Sequence, residues 1–191
     1  MLISPRIAVF VLTVCSPLLQ AQVIDFDSAL PPGVTVSTSG ICHITPACSS
    51  PISQENHAYF GFDAGCNFDN GQTVTGSLQV SGLFAPWGAQ LSFGLYRQDE
   101  GGTTGGPGDW DSLIMTINGI DVGPLTAGFN GDFIVDLPSL GLDGQVVDIV
   151  VSFNSVDGAW NDGYGNSLDN FKLLLGWIQG RRAKKSCQIT H

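Results

Sequence analysis

Basic residues are nearly missing from the body of this chain. Between Val23 and Leu175 only Arg97 and Lys172 are basic, against all 17 Asp and Glu of the 191-residue sequence, which leaves that stretch at −15 (2 against 17). A surface of that sign repels phosphate backbones and anionic lipid, which excludes nucleic acid as a partner. Helical periodicity is missing too, because no window of about 11 residues or more carries apolar side chains at helical spacing. Long apolar runs are absent. Ile7 to Val14 is too short to cross a bilayer, as is Leu174 to Ile178, so no membrane span is expected. No CxxC or Cys/His cluster has zinc-like spacing, and His43 beside Cys42 stands alone. No Gly-x-Ser-x-Gly elbow accompanies His43 or His57, and no Glu-x-Asp-x-x-Glu signature of a glucanase is present. The loop Asp157 to Gly163 lacks the spacing and terminal Glu of an EF-hand.

What is present begins with a leader. Met1 to Arg6 is a short positive start, Ile7 to Val14 is an apolar core, and Ala21 offers a small residue for cleavage; residues 1–21 read as a secretory signal peptide. Leu12-Thr13-Val14-Cys15 is similar to a lipobox, but Val14 is larger than the residues usual there. Secretion to the extracellular space or cell surface follows. The four cysteines beyond the leader, Cys42, Cys48, Cys66 and Cys187, then suit disulfides better than a metal, and four allow three pairings.

Short runs rich in β-branched and aromatic residues alternate with turn sequences. The expected strands are Val23–Phe26, Val34–Ser37, His57–Gly61, Thr73–Val80, Gln90–Tyr96, Ser112–Ile117, Gly131–Asp136, Val146–Phe153 and Ser167–Leu173. Pro31-Pro32-Gly33, Asp69-Asn70-Gly71, Asn118-Gly119 and Leu142-Asp143-Gly144 are turn chemistry between them. Leu91, Phe93 and Leu95 share one face of their strand, as do Leu113, Met115 and Ile117. Such strands imply an all-β antiparallel sandwich or barrel over residues 22–175. The Gly-rich stretch from Arg97 to Trp110 reads as a mobile or ligand-facing excursion, and the basic residues 176–191 read as a loose tail.

Several segments, in order, resemble the MAM-like modules of bacterial secreted proteins, including the closing domain of immune inhibitor A type metalloproteases. They are Ile24-Asp25-Phe26-Asp27, Cys42-His43-Ile44-Thr45 before Cys48, Tyr59-Phe60-Gly61 before Cys66, Thr75-Gly76-Ser77-Leu78, Glu100 with Trp110-Asp111-Ser112-Leu113, and Gly165 to Phe171. Cys42 stands where that family commonly has Trp, and Asn170 replaces the second Asp of its closing pair. The resemblance implies a jelly-roll β-sandwich of the concanavalin or galactose-binding-like kind. It implies that Cys48 pairs with Cys66, with Cys42 and Cys187 either joined or free.

Calcium is the expected ion, since strand-connecting loops supply the oxygens it needs. The first and last strands of a jelly roll usually lie side by side, so Asp27 and Asp169 are expected to converge, with Asp25 and Asp157 as further ligands. The plainer alternative makes Asp25 and Asp27 exposed strand residues and Asp169 a turn cap. Trp87, Trp110, Trp160 and Tyr164 are loop aromatics that either plug the ends of the sandwich or stack on a sugar. Trp160 and Tyr164 are the pair expected at the surface, with Trp110 as a further ligand-binding candidate. Glu100 and Asp111 are the available carboxylate pair for glycoside hydrolysis, though they read better as solvated or metal-related groups. The expected function is non-catalytic recognition or adhesion at an extracellular glycan or protein surface. The alternatives are a carbohydrate-binding module, a small glycan-active enzyme, and a structural surface or matrix protein.

Overall fold

The computed structural model describes residues 22–48, 50–62, 66, 73–98, 111–125, 129–155 and 165–175. Its strands are β1 (Val23–Ile24), β2 (Thr35–Gly40), β3 (Cys42–Thr45), β4 (His57–Phe60), β5 (Thr75–Phe84), β6 (Ala89–Gln98), β7 (Asp111–Ile117), β8 (Ile120–Pro124), β9 (Asn130–Asp136), β10 (Val146–Ser155) and β11 (Gly165–Leu175). One 3-10 turn, Pro138–Leu140, joins β9 to β10. Among the described residues no helix is long and apolar enough to cross a membrane.

Two antiparallel sheets form a jelly-roll sandwich. The first runs β3-β4-β11-β6-β9, with β1 also paired to β11, and the second runs β2-β5-β10-β7-β8. The chain changes sheet at most of its connections, from β5 to β6, from β6 to β7, and again around β9, β10 and β11. Period-two patterning drives this layering. In β10 Val147, Ile149, Val151 and Phe153 are buried, while Val146, Asp148, Ser152 and Asn154 are exposed. They meet Leu91, Phe93 and Leu95 of β6 and Leu168, Phe171 and Leu173 of β11 in one core. Phe60 approaches Phe153 across the sheets at 6.2 Å between ring centroids, and Phe93 stacks on Phe171 at 5.0 Å. Each such side chain contributes roughly 1.5–3 kcal/mol by burial.

The two outer faces differ. The segment between β3 and β4 folds over the outer side of the first sheet, held by a disulfide between Cys48 and Cys66 with Cα atoms 5.4 Å apart. The Cβ and Cδ1 of Ile52 lie close above Gly94. All four residues of β4 and the run from Leu91 to Leu95 are therefore buried, including Ser92 and Gly94 opposite the apolar face of β6. Over the second sheet nothing among the described residues lies in this way. Its register aligns Ser37, Gln79, Val150 and Thr116 in one row across four strands, and Ser39, Ser77, Ser152 and Ile114 in the next.

Strands β3 and β8 were not among the expected strands. The first is only four residues long, with polar His43 and Thr45 pairing against β4. The second carries Gly123 and Pro124, which disguise it, although the Asn118-Gly119 turn before it is the expected hairpin signal. Cys42 is buried in the core and free of a disulfide among the described residues; desolvation pushes its thiol well above the ordinary range. The expected leader, the basic tail and Cys187 lie outside the described residues.

Gly82 lies at a bulge in β5, where Ser81 and Gly82 together oppose Asp148 of β10. Its φ is +86°, and an added Cβ would sit 2.2 Å from the Gly33 carbonyl oxygen. Gly119 also has positive φ, at +75°, but has nothing within 4 Å of that position. We expect Gly82→Ala to destabilise the domain by about 2–3 kcal/mol, and Gly119→Asn to cost well under about 1 kcal/mol, in urea unfolding. Equal effects would show that packing at Gly82 is not limiting.

Candidate functional site

Strand β11 has β6 along one side and two successive partners along the other. Asn166 to Leu168 pair with β4, and Phe171 and Lys172 pair with β1. Between these partners the register against β6 shifts, so Asn170 and Phe171 together oppose Phe93. Asn170 takes the extra residue's strained backbone, with φ of 57°, a conformation Asn tolerates better than most residues. The bulge keeps Phe171 and Leu173 on the core side. It leaves Asp169 on the outer side, at the gap between the end of β4 and the end of β1.

A cleft of about 310 Å³ fills that gap, lined by Asp25, Asp27, Ile52, Ser53, Gln54, Glu55, Asp169 and Asn170. The structure thus brings Asp25 and Asp27, from the start of the fold, to Asp169 in its last strand. Asp25 Oδ1 accepts from the Ser28 amide at 2.9 Å and the Asp27 amide at 3.2 Å, and Oδ2 accepts from the Ser28 hydroxyl at 3.0 Å. Asp27 Oδ1 accepts from the Asn56 amide at 3.1 Å and from its Nδ2 at 2.6 Å. Asp169 Oδ1 accepts from the Asn170 amide at 2.6 Å, and Oδ2 from Asn170 Nδ2 at 3.0 Å.

Asp169 is only 3% exposed. Desolvation raises its pKa, partly offset by the Ser53 hydroxyl, the Asn170 amide and His57, while the charge of Asp27 pushes it further up. Asp25 is shifted the other way, first by the hydrogen bond from the Ser28 amide. His57 lies fully buried next to this site, with Nδ1 2.8 Å from the Glu55 carbonyl oxygen. A carbonyl only accepts, so Nδ1 carries the hydrogen. Nε2 is buried without a hydrogen-bond partner among the described residues. Among those residues no three His, Cys, Asp or Glu side chains are arranged to grip an ion as they stand. The carboxylates are turned instead to nearby amides and hydroxyls.

Ser53, Glu55 and Asn170 were missed as lining residues. Nothing local in the sequence marks Ser53 or Glu55, because the overlying segment reaches the cleft only through the fold. Asp157, Trp110, Trp160, Tyr164 and Glu100 lie outside the described residues. Asp111 corrects an expectation: it is not solvated but 1% exposed, beside an equally buried Arg97. The Arg97 guanidinium donates to the backbone carbonyls of Asp111, at 2.9 Å, and of Leu125. Of the two readings of Trp87, the structure removes the plug, since the residue is 75% exposed on the turn between β5 and β6.

No family model matches the chain, and no curated protein matches it. Among solved structures it is similar to the native structure of a family 35 carbohydrate binding module from Clostridium thermocellum. The identity is 14% and the TM-score 0.38, over 81% of this chain and 97% of that one.

A raised pKa means that the folded chain holds this proton more tightly than the unfolded chain does. The stability linked to Asp169 is therefore fully present below the ordinary value of 3.8 and falls as pH rises through the raised folded value. Asp25 has the opposite sign, losing its contribution as pH falls below 3.8. Without divalent cations, Asp169→Asn should abolish the decline above pH 3.8 and leave the acid limb intact, as read by urea midpoints across pH. An unchanged profile would remove Asp169 as the group responsible.

Proposed function

We propose that this chain is a secreted, non-catalytic recognition domain whose closing strand is fastened by calcium. The observation that carries the reading is the meeting of Asp25 and Asp27 with the buried Asp169 across the seam between β1 and β11. The site's chemistry suits that ion. Calcium takes carboxylate, amide and hydroxyl oxygens in flexible geometry, and Asp25, Asp27 and Asp169, with Asn170 and Ser53, are of those kinds. A bound cation would relieve the desolvation cost and the repulsion from Asp27 that now weigh on Asp169.

Recognition rather than catalysis is supported by what has become of the catalytic candidates. Asp111 is interior and packed with Arg97, and the ring of His57 is buried with Nδ1 on a backbone carbonyl. Neither is poised as an acid or base toward solvent. Export is supported by the leader and by the Cys48–Cys66 disulfide, which an oxidising compartment preserves.

Thermal unfolding of chelator-treated protein tests the ion directly. An ion present at a hundredfold excess over its Kd adds about 2.7 kcal/mol. Millimolar calcium should therefore raise Tm by several degrees, magnesium should do less, and Asp169→Ala should lose the response. An unchanged Tm in wild-type protein at 5–10 mM calcium (roughly tenfold above the weakest extracellular sites) would sink the calcium reading.

A further inference from the structure

We propose that the outer face of the second sheet binds a neutral polysaccharide laid across β2, β5, β10 and β7. This rests on the recognition reading and names its ligand class and surface. The first observation is charge. In a stretch that holds 17 acids, both aligned rows on these four strands are uncharged. The nearest carboxylates on that side are Asp121, which faces Thr116 from β8, and Asp148, two residues before Val150 on β10, whose Oδ1 accepts from the Gly82 amide. A solvated strand face has no need of such neutrality, whereas a surface docking an uncharged partner does, since each buried charge costs desolvation.

The second observation is the kind of side chain. Ser77, Gln79, Ser152 and Thr116 carry hydroxyls and amides that both donate and accept hydrogen bonds, as sugar hydroxyls do. The serines and threonine are short and lose little rotamer freedom when fixed. Ser39 and Ser77 already share a hydrogen bond of 2.8 Å between hydroxyls, either of which can donate, so the row can adapt to either polarity. Val150 and Ile114, both half-buried, interrupt the polar rows with small apolar spots that suit the C–H faces of a sugar ring. Beyond Asp148 along the same two central strands Phe84 pairs with Val146, and these are 42% and 56% exposed. An aromatic ring at one end of a hydroxyl-lined face is a stacking position for a pyranose.

Other partners fit less well. A protein interface draws on Tyr, Trp and Arg anchors, which these rows lack. Acidic glycans are repelled by the charge of the domain as a whole.

The test is mobility retardation of the whole protein in native gels containing hydroxyethyl cellulose, arabinoxylan or laminarin, with polygalacturonate as the anionic control. At least one neutral polymer should retard the wild type, and polygalacturonate should not. Ser77→Glu with Ser152→Glu should weaken binding at least tenfold. The milder Gln79→Ala with Thr116→Ala should weaken it several-fold, which keeps the test open if the glutamates disturb the sheet. Ile134→Glu, on the other sheet, should leave it unchanged. Equal retardation of wild type and face variants would overturn the assignment while leaving recognition elsewhere on the domain intact. Retardation by none of the neutral polymers would overturn the ligand class. A concentration-dependent dimer that the same variants dissolve, seen by sedimentation, would show that the face meets a second copy instead. The calcium response of Tm, read separately, reports on the recognition domain's ion and not on this face.

Discussion

Strand β11 must satisfy three neighbours at once, and most of the first sheet depends on how it does so. Its N-terminal half completes the ladder of β4 and its C-terminal half that of β1, while β6 runs along the opposite side. Two partners placed end to end on one edge leave a break in hydrogen bonding, and the strand meets that break with a bulge. The bulge returns Phe171 to the core, where it stacks on Phe93 and meets Phe26 edge-on at 6.1 Å. The same geometry puts a carboxylate into a nearly dry gap. A buried Asp is tolerated there because neighbouring amides and hydroxyls solvate it. The first and last strands of the fold are thus joined by few hydrogen bonds of their own, beside a polar seam.

That division of labour separates the two faces of the molecule. The first sheet has its outer side covered by the disulfide-held segment, which buries polar groups such as His57, Ser53 and Ser167 along with Tyr59. The second sheet keeps its outer side open, with two uncharged rows across β2, β5, β10 and β7. The carboxylate seam and the open face therefore lie on different sheets, and the open face can vary without disturbing the core, since its side chains alternate with the buried ones.

The sequence was most readable where a strand has one wet face. Strand β10 and the apolar positions of β7 and β6 follow period-two patterning, and the neighbouring placement of β1 and β11, with Asp27 and Asp169 brought together, was expected from the layout. The burial of the opposite side of β6 was not legible, because Ile52, distant in sequence, covers Gly94. Leu168, Phe171 and Leu173 are spaced three and then two residues apart, and that break in period was a legible mark of the bulge. The contribution of Ser53 and Glu55 was not legible, being a product of how a loop folds over a sheet. Nor was the exposure of Trp87, which the turn conformation decides, or the burial of Asp111, which follows from the position of Arg97.

The most direct measurement is hydrogen–deuterium exchange of the β1 and β11 amides, with and without calcium, at a temperature well below unfolding. If an ion fastens the seam, the amides of Ile24 and of Asn170 to Leu173 gain protection on adding calcium, while those at the centre of β10 change little. Equal protection in both conditions, or a uniform change across both sheets, would contradict a calcium ion placed between the first and last strands.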